Sequence, residues 1–514
     1  MPILAYNLLY SAKNLLKYFC AKMRWIIFLE QSPGAVAKPM TRLIATGLAI
    51  YCLLFLVYYP PVCGIEDEQG FVNQAIFWSR GALSAEGAGL STHLGDLLPI
   101  GGRHLPIRHP GRSLAALPFY MAGGYEAVFL SGIFLHALLV LVACATLRRL
   151  NLPQNYALLV LFHPTLLIYS RTITADAAAG TGLLLAVFAF CRNGVMVTRD
   201  LCLAGLGVGL AATMRHHAAA AAPALALAVY LKKGRLKSCL VFALACLVSA
   251  MPLIAFNLAA YGSLLDPFSA GRGLFSLKYL PEQIPFYAES LSLFWPLMFF
   301  SPFLLLQREK AAIPAVCLSF LALLGCYYFH DSSASRVQTD IIGLRLMQVA
   351  LPSWIIAYGL MIQSRCMPYL ARFRQLQKSV GILFLVMGSL LTYAIFARHQ
   401  TRLNDYAQRR QMLLMATPSG GFLLTEGLVH KLVGIYRPEQ PDYEPHLVTF
   451  QSNRSYDEGV LQERLRSRTP VYLAFSPNTP GQQPSQIFRE LQLRLKAVPI
   501  ETGNALMQVW RVPQ

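Results

Sequence analysis

Residues 126–149, EAVFLSGIFLHALLVLVACATLRR, decide the fold. Between the acid that opens this stretch and the Arg148-Arg149 pair that closes it, no residue carries a formal charge at neutral pH. A helix rising about 1.5 Å per residue over such a run crosses the roughly 30 Å hydrocarbon core of a bilayer, and the basic pair marks its cytoplasmic end. Similar apolar runs recur from residue 43 to residue 396, separated by short connectors rich in Lys and Arg. Of the 514 residues, 55% are hydrophobic and 13% are charged. Soluble domains carry about a quarter charged residues, so water is not the main solvent of this chain. The repetition also excludes a single signal peptide.

Working outward from that stretch gives about eleven spans, at residues 42–60, 126–147, 156–169, 177–190, 201–214, 218–231, 239–256, 286–306, 311–329, 349–362 and 380–396. Their connectors alternate in sign. Arg148 and Arg149, Arg192 and Arg199, residues 232–237, 307–310 and 364–378 are basic and hence cytoplasmic. The lysines and arginines before the first span, Lys13, Lys17, Lys22 and Arg24 among them, place the N-terminus in the cytoplasm, with residues 1–40 as an amphipathic segment on the membrane surface. An odd number of crossings then leaves the C-terminus outside. The fold expected is an all-α polytopic membrane module over residues 41–398, with a long first external loop at 61–112, followed by a small extracytoplasmic α/β domain at 399–514. In that tail, strand-like stretches at 421–424, 447–450, 471–475 and 506–512 are interleaved with helical ones at 462–468 and 484–495.

The net charge of +19 would suggest nucleic acid in a soluble protein; here the basic connectors account for it, and no nucleic-acid partner is expected. The eleven cysteines lack metal-ligand spacing, and most lie inside apolar runs as small packing residues. No Gly-rich strand-to-helix loop for a nucleotide is present; Gly205, Gly207 and Gly209 sit in an apolar run, where glycines allow helices to approach closely.

Chemistry concentrates on the outer side. Glu66-Asp67-Glu68 follows the first span, and a carboxylate beside an apolar surface is either a solvated acid, a cation site or a base whose pKa is raised by desolvation. Asp176 lies at the next outward turn, where it either caps the following helix or shares a site with Asp67. External arginines run against the positive-inside rule: Arg103, Arg108 and Arg112 with His104 and His109, then Arg171, Arg215 with His216, and Arg345. Guanidinium groups converging on one face suit a phosphate; singly, each would instead contact lipid head groups. The histidines lack a metal-binding spacing.

The acidic triplet after span one, the loop ending His109-Pro110-Gly111-Arg112 and the turn Tyr169-Ser170-Arg171-Thr172-Ile173-Thr174-Ala175-Asp176 resemble the GT-C membrane glycosyltransferases over residues 42–398. The order of features is similar to bacterial members of the protein O-mannosyltransferase and aminoarabinose transferase superfamily, family 39 in type. Phe256-Asn257-Leu258-Ala259-Ala260-Tyr261-Gly262-Ser263 looks like their Tyr-Asn…Phe-Gly-Ser element, and Gly343-Leu344-Arg345 with Pro352 like their Arg-Tyr-Leu-Leu-Pro element. His-Pro-Gly-Arg stands where many relatives have Pro-Pro-Leu. The resemblance implies a GT-C fold and an isoprenoid-phosphate sugar donor, with a lipid, glycan or protein as acceptor, membrane lipids as surroundings, and the bacterial inner membrane as location. It implies inverting transfer with a carboxylate base, Asp67 first, Glu68 second and Glu66 the remaining member of the triplet. Arg345, Arg215 and Arg171, then Arg112, Arg108 and His109, become the candidates for the donor phosphate, with Asp176 orienting the acceptor or a cationic partner. The resemblance implies no particular cofactor, and a divalent cation at the acidic cluster stays open.

Two rivals stand beside this reading. A lipid or sugar transporter or flippase would place charge along a pathway inside the membrane and show paired broken helices; the charges here gather at outer helix ends. A non-catalytic envelope-assembly subunit would use the outer domain to bind partners.

Overall fold

The computed structural model describes residues 40–86, 97–100, 103–192, 196–264, 275–305, 310–327, 344–365, 374–427, 429–433, 443–450, 453–454, 456–477, 482–502 and 506–513. The amphipathic N-terminal segment expected at residues 1–40 lies outside them, except for Met40.

The chain opens with α1 (Met40–Val57). After a short linker comes α2 (Glu66–Ser79), then a three-stranded antiparallel sheet of β1 (Ala85–Glu86), β2 (Leu97–Ile100) and β3 (Arg103–Pro106), with β3 in the middle. The described residues of the loop at 61–112 are thus largely folded. It leads into α3 (Pro110–Ala127), which starts on a proline at its first turn and is kinked at Gly123 and Gly124. Next, α4 (Leu130–Arg149) is the helix of the opening stretch. The expected span at 156–169 is two short buried helices, α5 (Ala157–Leu161) and α6 (Pro164–Ser170), broken at Phe162 and His163. Then follow α7 (Asp176–Phe190), α8 (Thr198–Met214), α9 (Ala221–Lys233) and α10 (Leu236–Tyr261). The bundle closes with α11 (Leu280–Phe294), α12 (Ala312–Gly325), α13 (Leu351–Arg365) and the long α14 (Arg374–Ala416).

The count of eleven continuous spans finds no support among the described residues. Among the described residues three helices are long and apolar enough to cross a membrane, Leu130–Arg149, Leu236–Tyr261 and Ile382–Ala416, and a pair bent by 114° at Leu277–Leu293 and Met298–Leu305 makes a fourth. Helices α5, α6, α7 and α12 are shorter because their neighbours are other helices: α7 and α12 are lined by buried Leu183, Leu184, Val187, Ile313, Val316 and Phe320. Backbone surrounded by protein is not required to span lipid alone. Lipid-type exposure is confined to faces such as Leu240, Leu244, Leu247 and Val248 on α10 and Ile382, Leu383, Met387 and Leu390 on α14.

The glycines at 205, 207 and 209 do what the sequence suggests. A Cβ on Gly207 would meet the Gly182 carbonyl oxygen at 2.5 Å, and one on Gly205 or Gly209 would strike the backbone of α10. The backbones of α7, α8 and α10 therefore touch.

Helix α14 runs through the expected boundary at 398–399. Its first half presents apolar side chains outward; its second half is polar and bears the C-terminal domain, which begins with β4 (Gly421–Gly427). This domain is a five-stranded mixed sheet in the order β5-β4-β8-β10-β9, with β5 (Tyr443–Leu447), β8 (Val471–Ser476), β9 (Val498–Ile500) and β10 (Gln508–Arg511), while β6 (Thr449–Phe450) and β7 (Asn453–Arg454) form a separate antiparallel pair. The three strands β5, β4 and β8 are parallel and β10 and β9 antiparallel. Between them lie α15 (Val429–Val433), α16 (Glu458–Arg466) and α17 (Gln486–Arg494). The α/β character is as expected, with β9 an additional strand. Leu403, Tyr406 and Leu413 of α14 pack with Leu423, Tyr472 and Val509 of the sheet and with Val62 of the linker before α2. Arg409 completes the joint by donating to Ser476 Oγ and the Pro477 carbonyl, both at 2.8 Å.

Candidate active site

The bundle sorts its charges by end. Arg149 at the end of α4 donates to the Phe188 carbonyl, and Lys232 at the end of α9 to the Phe190 carbonyl, so both basic connectors meet the last turn of α7. Asp176 opens the same helix. At 1.5 Å per residue the acid and the basic layer stand about 22 Å apart.

Around Asp176, separate elements deliver two acids and three arginines. Asp67, in the first turn of α2, benefits from the positive end of that helix. Its Oδ1 accepts from Arg108 Nη2 at 2.7 Å, and its Oδ2 from Arg345 Nη2. Arg345 also turns its Nε towards Asp176 Oδ2, at 3.7 Å, while Arg215 Nε lies 3.1 Å from Asp176 Oδ1. Arg345 therefore spans both acids. Burial alone would raise the Asp67 pKa, but Arg108, Arg345 and Arg215 outweigh it and hold the carboxyl well below its usual range. Asp176 is fully buried, and among the described residues neither oxygen accepts a hydrogen bond, its pairs being ion contacts without hydrogen-bond geometry. It is the first helical residue of α7 rather than its cap, which is Ala175. A buried carboxylate left so incompletely satisfied is costly, which makes Asp176 a candidate for a functional position. Three guanidiniums facing two carboxylates leave one net positive charge, and the three arginine side chains are partly exposed, so an anion can reach them.

Neighbouring elements set this geometry. Gly180 lets the chain carrying Arg345 lie against α7, since a Cβ there would meet the Gln348 carbonyl at 2.7 Å. Gln74 of α2 donates to the Arg108 carbonyl at 3.1 Å and accepts from Ser113 at 2.6 Å. Tyr261 donates to the Pro106 carbonyl at 2.7 Å, and Phe256 packs with Leu105 and Trp78. The Phe-Asn…Tyr-Gly-Ser element at the end of α10 thus braces the strand leading to Arg108. Gln74 was not legible as a site residue; nothing in its sequence setting distinguishes it.

Four sequence candidates are placed elsewhere. Glu68 is buried with both oxygens engaged: Oε1 accepts from the Gly64 and Ile65 amides at 2.9 and 3.1 Å, and Oε2 from the Ile173 amide at 2.8 Å. Burial pushes its pKa up to about 7 against those three bonds. Arg112, expected at the phosphate, instead donates to the Thr174 carbonyl at 3.0 Å and Ser131 Oγ at 2.8 Å. Arg171 donates to the carbonyls of Phe396 and Tyr58 and to Gln400. These two guanidiniums are spent on the carbonyls and side-chain oxygens around the turn. Together with Glu68 they clamp residues 171–175, the turn that presents Asp176. His109 does not join the acids either; it hydrogen-bonds His216. The Glu66 and His104 side chains lie outside the described residues, and Arg103 is exposed. Among the described residues no group of three His, Cys, Asp or Glu is arranged to hold a metal, and the Asp67 oxygens that a divalent cation would need are taken by arginines.

No family model matches the sequence, and no curated protein is similar to it at the level of sequence. Solved structures are similar in fold. ArnT from Cupriavidus metallidurans in the apo state superposes with a TM-score of 0.62 at 12% identity, covering 92% of this chain and 98% of that one. The same protein bound to undecaprenyl phosphate gives 0.60 at 11% identity, covering 93% and 99%. The Archaeoglobus fulgidus oligosaccharyltransferase tethered with an acceptor peptide gives 0.50 at 9% identity, covering 85% and 69%. The GT-C resemblance read from short motifs therefore holds for the fold, transmembrane module and C-terminal domain together.

Proposed function

We propose that the chain is a membrane glycosyltransferase that moves a sugar from an isoprenoid-phosphate donor to an acceptor hydroxyl at the extracytoplasmic face, with inversion. The observation that carries this reading is the cluster of Asp67 and Asp176 with Arg108, Arg215 and Arg345 at the helix ends opposite the basic connectors. The ArnT structure of the same fold that contains undecaprenyl phosphate supports a lipid phosphate as the ligand class. Basic connectors lie on the cytoplasmic side by the positive-inside rule, which makes the acid end the outer one.

In this mechanism the donor phosphate draws Arg108 and Arg345 towards itself. Asp67, relieved of its ion pairs, loses the charges that hold its pKa down and gains basicity. The acceptor O–H proton passes to Asp67 as the acceptor oxygen bonds to the anomeric carbon. The bond from that carbon to the phosphate oxygen breaks on the opposite face, its electron pair stays with the lipid phosphate, and the guanidiniums stabilise the added negative charge. Asp176 holds Arg215 and Arg345 ready before the donor arrives.

Asp67→Asn is expected to abolish transfer while leaving the yield and melting temperature of the purified protein near wild type. The assay is mass spectrometry of membrane lipids and envelope glycans, with accumulated lipid-linked sugar and the missing linkage read together. Turnover within about tenfold of wild type would sink the base assignment.

A further inference from the structure

Of the four Arg-His dipeptides in the sequence, the fold brings two together: Arg108-His109, just before α3, and Arg215-His216, just after α8. Each arginine faces a different acid, Arg108 pairing with Asp67 and Arg215 with Asp176. Their histidines face each other, His216 Nδ1 against His109 Nε2, with ring centroids 4.5 Å apart in an edge-to-face arrangement. Next to them the two segments touch through backbone, since a Cβ on Gly111 would meet Thr213 and Met214 main-chain atoms at 2.7 Å.

We infer that His109 and His216 are positioning residues: their imidazole–imidazole hydrogen bond sets the spacing of Arg108 and Arg215 across the anion-binding cluster. The inference rests on the proposed lipid-phosphate reading of that cluster. The two arginines are like charges on neighbouring segments and repel each other, while their ion pairs to Asp67 and Asp176 tie each to its own acid but not to the other. Once an anion draws the guanidiniums off the acids, those ties weaken, and the histidine bond is the polar contact between the two segments that does not involve the cluster's charges. His109 is held neutral, well below its ordinary value, by burial and then by His216, Arg215 and Arg108. A neutral pair offers one N–H and one ring nitrogen, which one hydrogen bond needs, and adds no charge to repel the arginines.

The test uses the full chain in lipid nanodiscs with undecaprenyl phosphate as probe. His216 is exposed, so its substitution is tolerated by the fold. His216→Phe removes the hydrogen bond and is expected to weaken binding about three- to tenfold, the equivalent of one neutral hydrogen bond. His216→Gln, whose amide reaches His109, is expected to restore binding to within about twofold. His109→Gln combined with His216→Phe should bind no more weakly than His216→Phe alone, since the contact is already lost. Wild-type binding by His216→Phe, or equal loss in Phe and Gln, overturns the latch. If the wild-type chain binds no lipid phosphate, the functional reading fails instead, and hydrogen exchange then decides the latch: His216→Phe accelerates exchange at residues 108–112 and 213–217 and His216→Gln does not, while unchanged exchange overturns it.

Discussion

Arg345 carries the geometry of the cluster because one planar guanidinium reaches two acids, Asp67 through Nη2 and Asp176 through Nε. A lysine would offer a point charge and could serve only one of them. Arg345→Lys is expected to weaken lipid-phosphate binding about ten- to a hundredfold, one charged hydrogen bond, in a titration of purified protein. Glu68 makes a different prediction. Its carboxyl titrates at an ordinary 4.5 when unfolded and at about 7 when folded. The folded chain therefore holds the proton more tightly, and stability falls as pH rises through that window and levels off above it. A melting-temperature series from pH 4.5 to 8 should show this decline in wild type and lose it in Glu68→Gln. Asp67, Asp176, Arg108, Arg215 and Arg345 could be singled out in the sequence because acids are few and arginines in connectors read as outer run against the positive-inside rule. That Arg112 and Arg171 spend their donors on carbonyls could not, since those acceptors are distant in sequence: Thr174 for Arg112, Tyr58 and Phe396 for Arg171.

Between elements, backbone contact replaces the interlocking of large side chains. Helices α7 and α8 meet at Gly182 and Gly207, and a side chain on either would enter the other helix's main chain. Gly207→Val is expected to cost at least about 1–3 kcal/mol by overpacking, seen as a lower melting temperature and a lower yield of monodisperse protein in detergent. Apolar runs were legible because lipid solvent demands them, and α4, α10 and α14 follow from composition. Helix α3 was less so: Pro118 and the Gly123-Gly124 pair interrupt its pattern, and only the packing of its first turn against α8 shows why it forms. The expected end of α14 near residue 398 fell short for the opposite reason. Charges begin at Arg398, yet no Gly or Pro appears before Pro418, so the helix changes solvent without changing conformation.

Across the whole molecule, Arg409 is the polar pin between transmembrane module and C-terminal domain, with hydrogen bonds to Ser476 and Pro477 and an ion pair to Asp405 at 2.9 Å. Arg409→Ala is expected to loosen that joint by about 2–3 kcal/mol, the loss of buried bonds from a charged donor. Limited proteolysis should then cut faster near residues 417–420, with the bundle itself still protected. The sequence showed that a separate α/β unit follows the bundle; how it sits depends on Val62, Leu403 and Tyr406 meeting Leu423 and Val509, a set no linear pattern displays. Helix α14 has one more consequence. Its 43 residues form a single rod of about 65 Å, more than twice a bilayer's hydrocarbon thickness. Its greasy half floats at a depth that the lipid chooses, and the other end is pinned to the domain that packs on Val62, five residues before Asp67. The rod is thus a dipstick: a thicker or thinner bilayer tilts or lifts it, and acyl-chain length becomes a dial on how the domain bears on that linker.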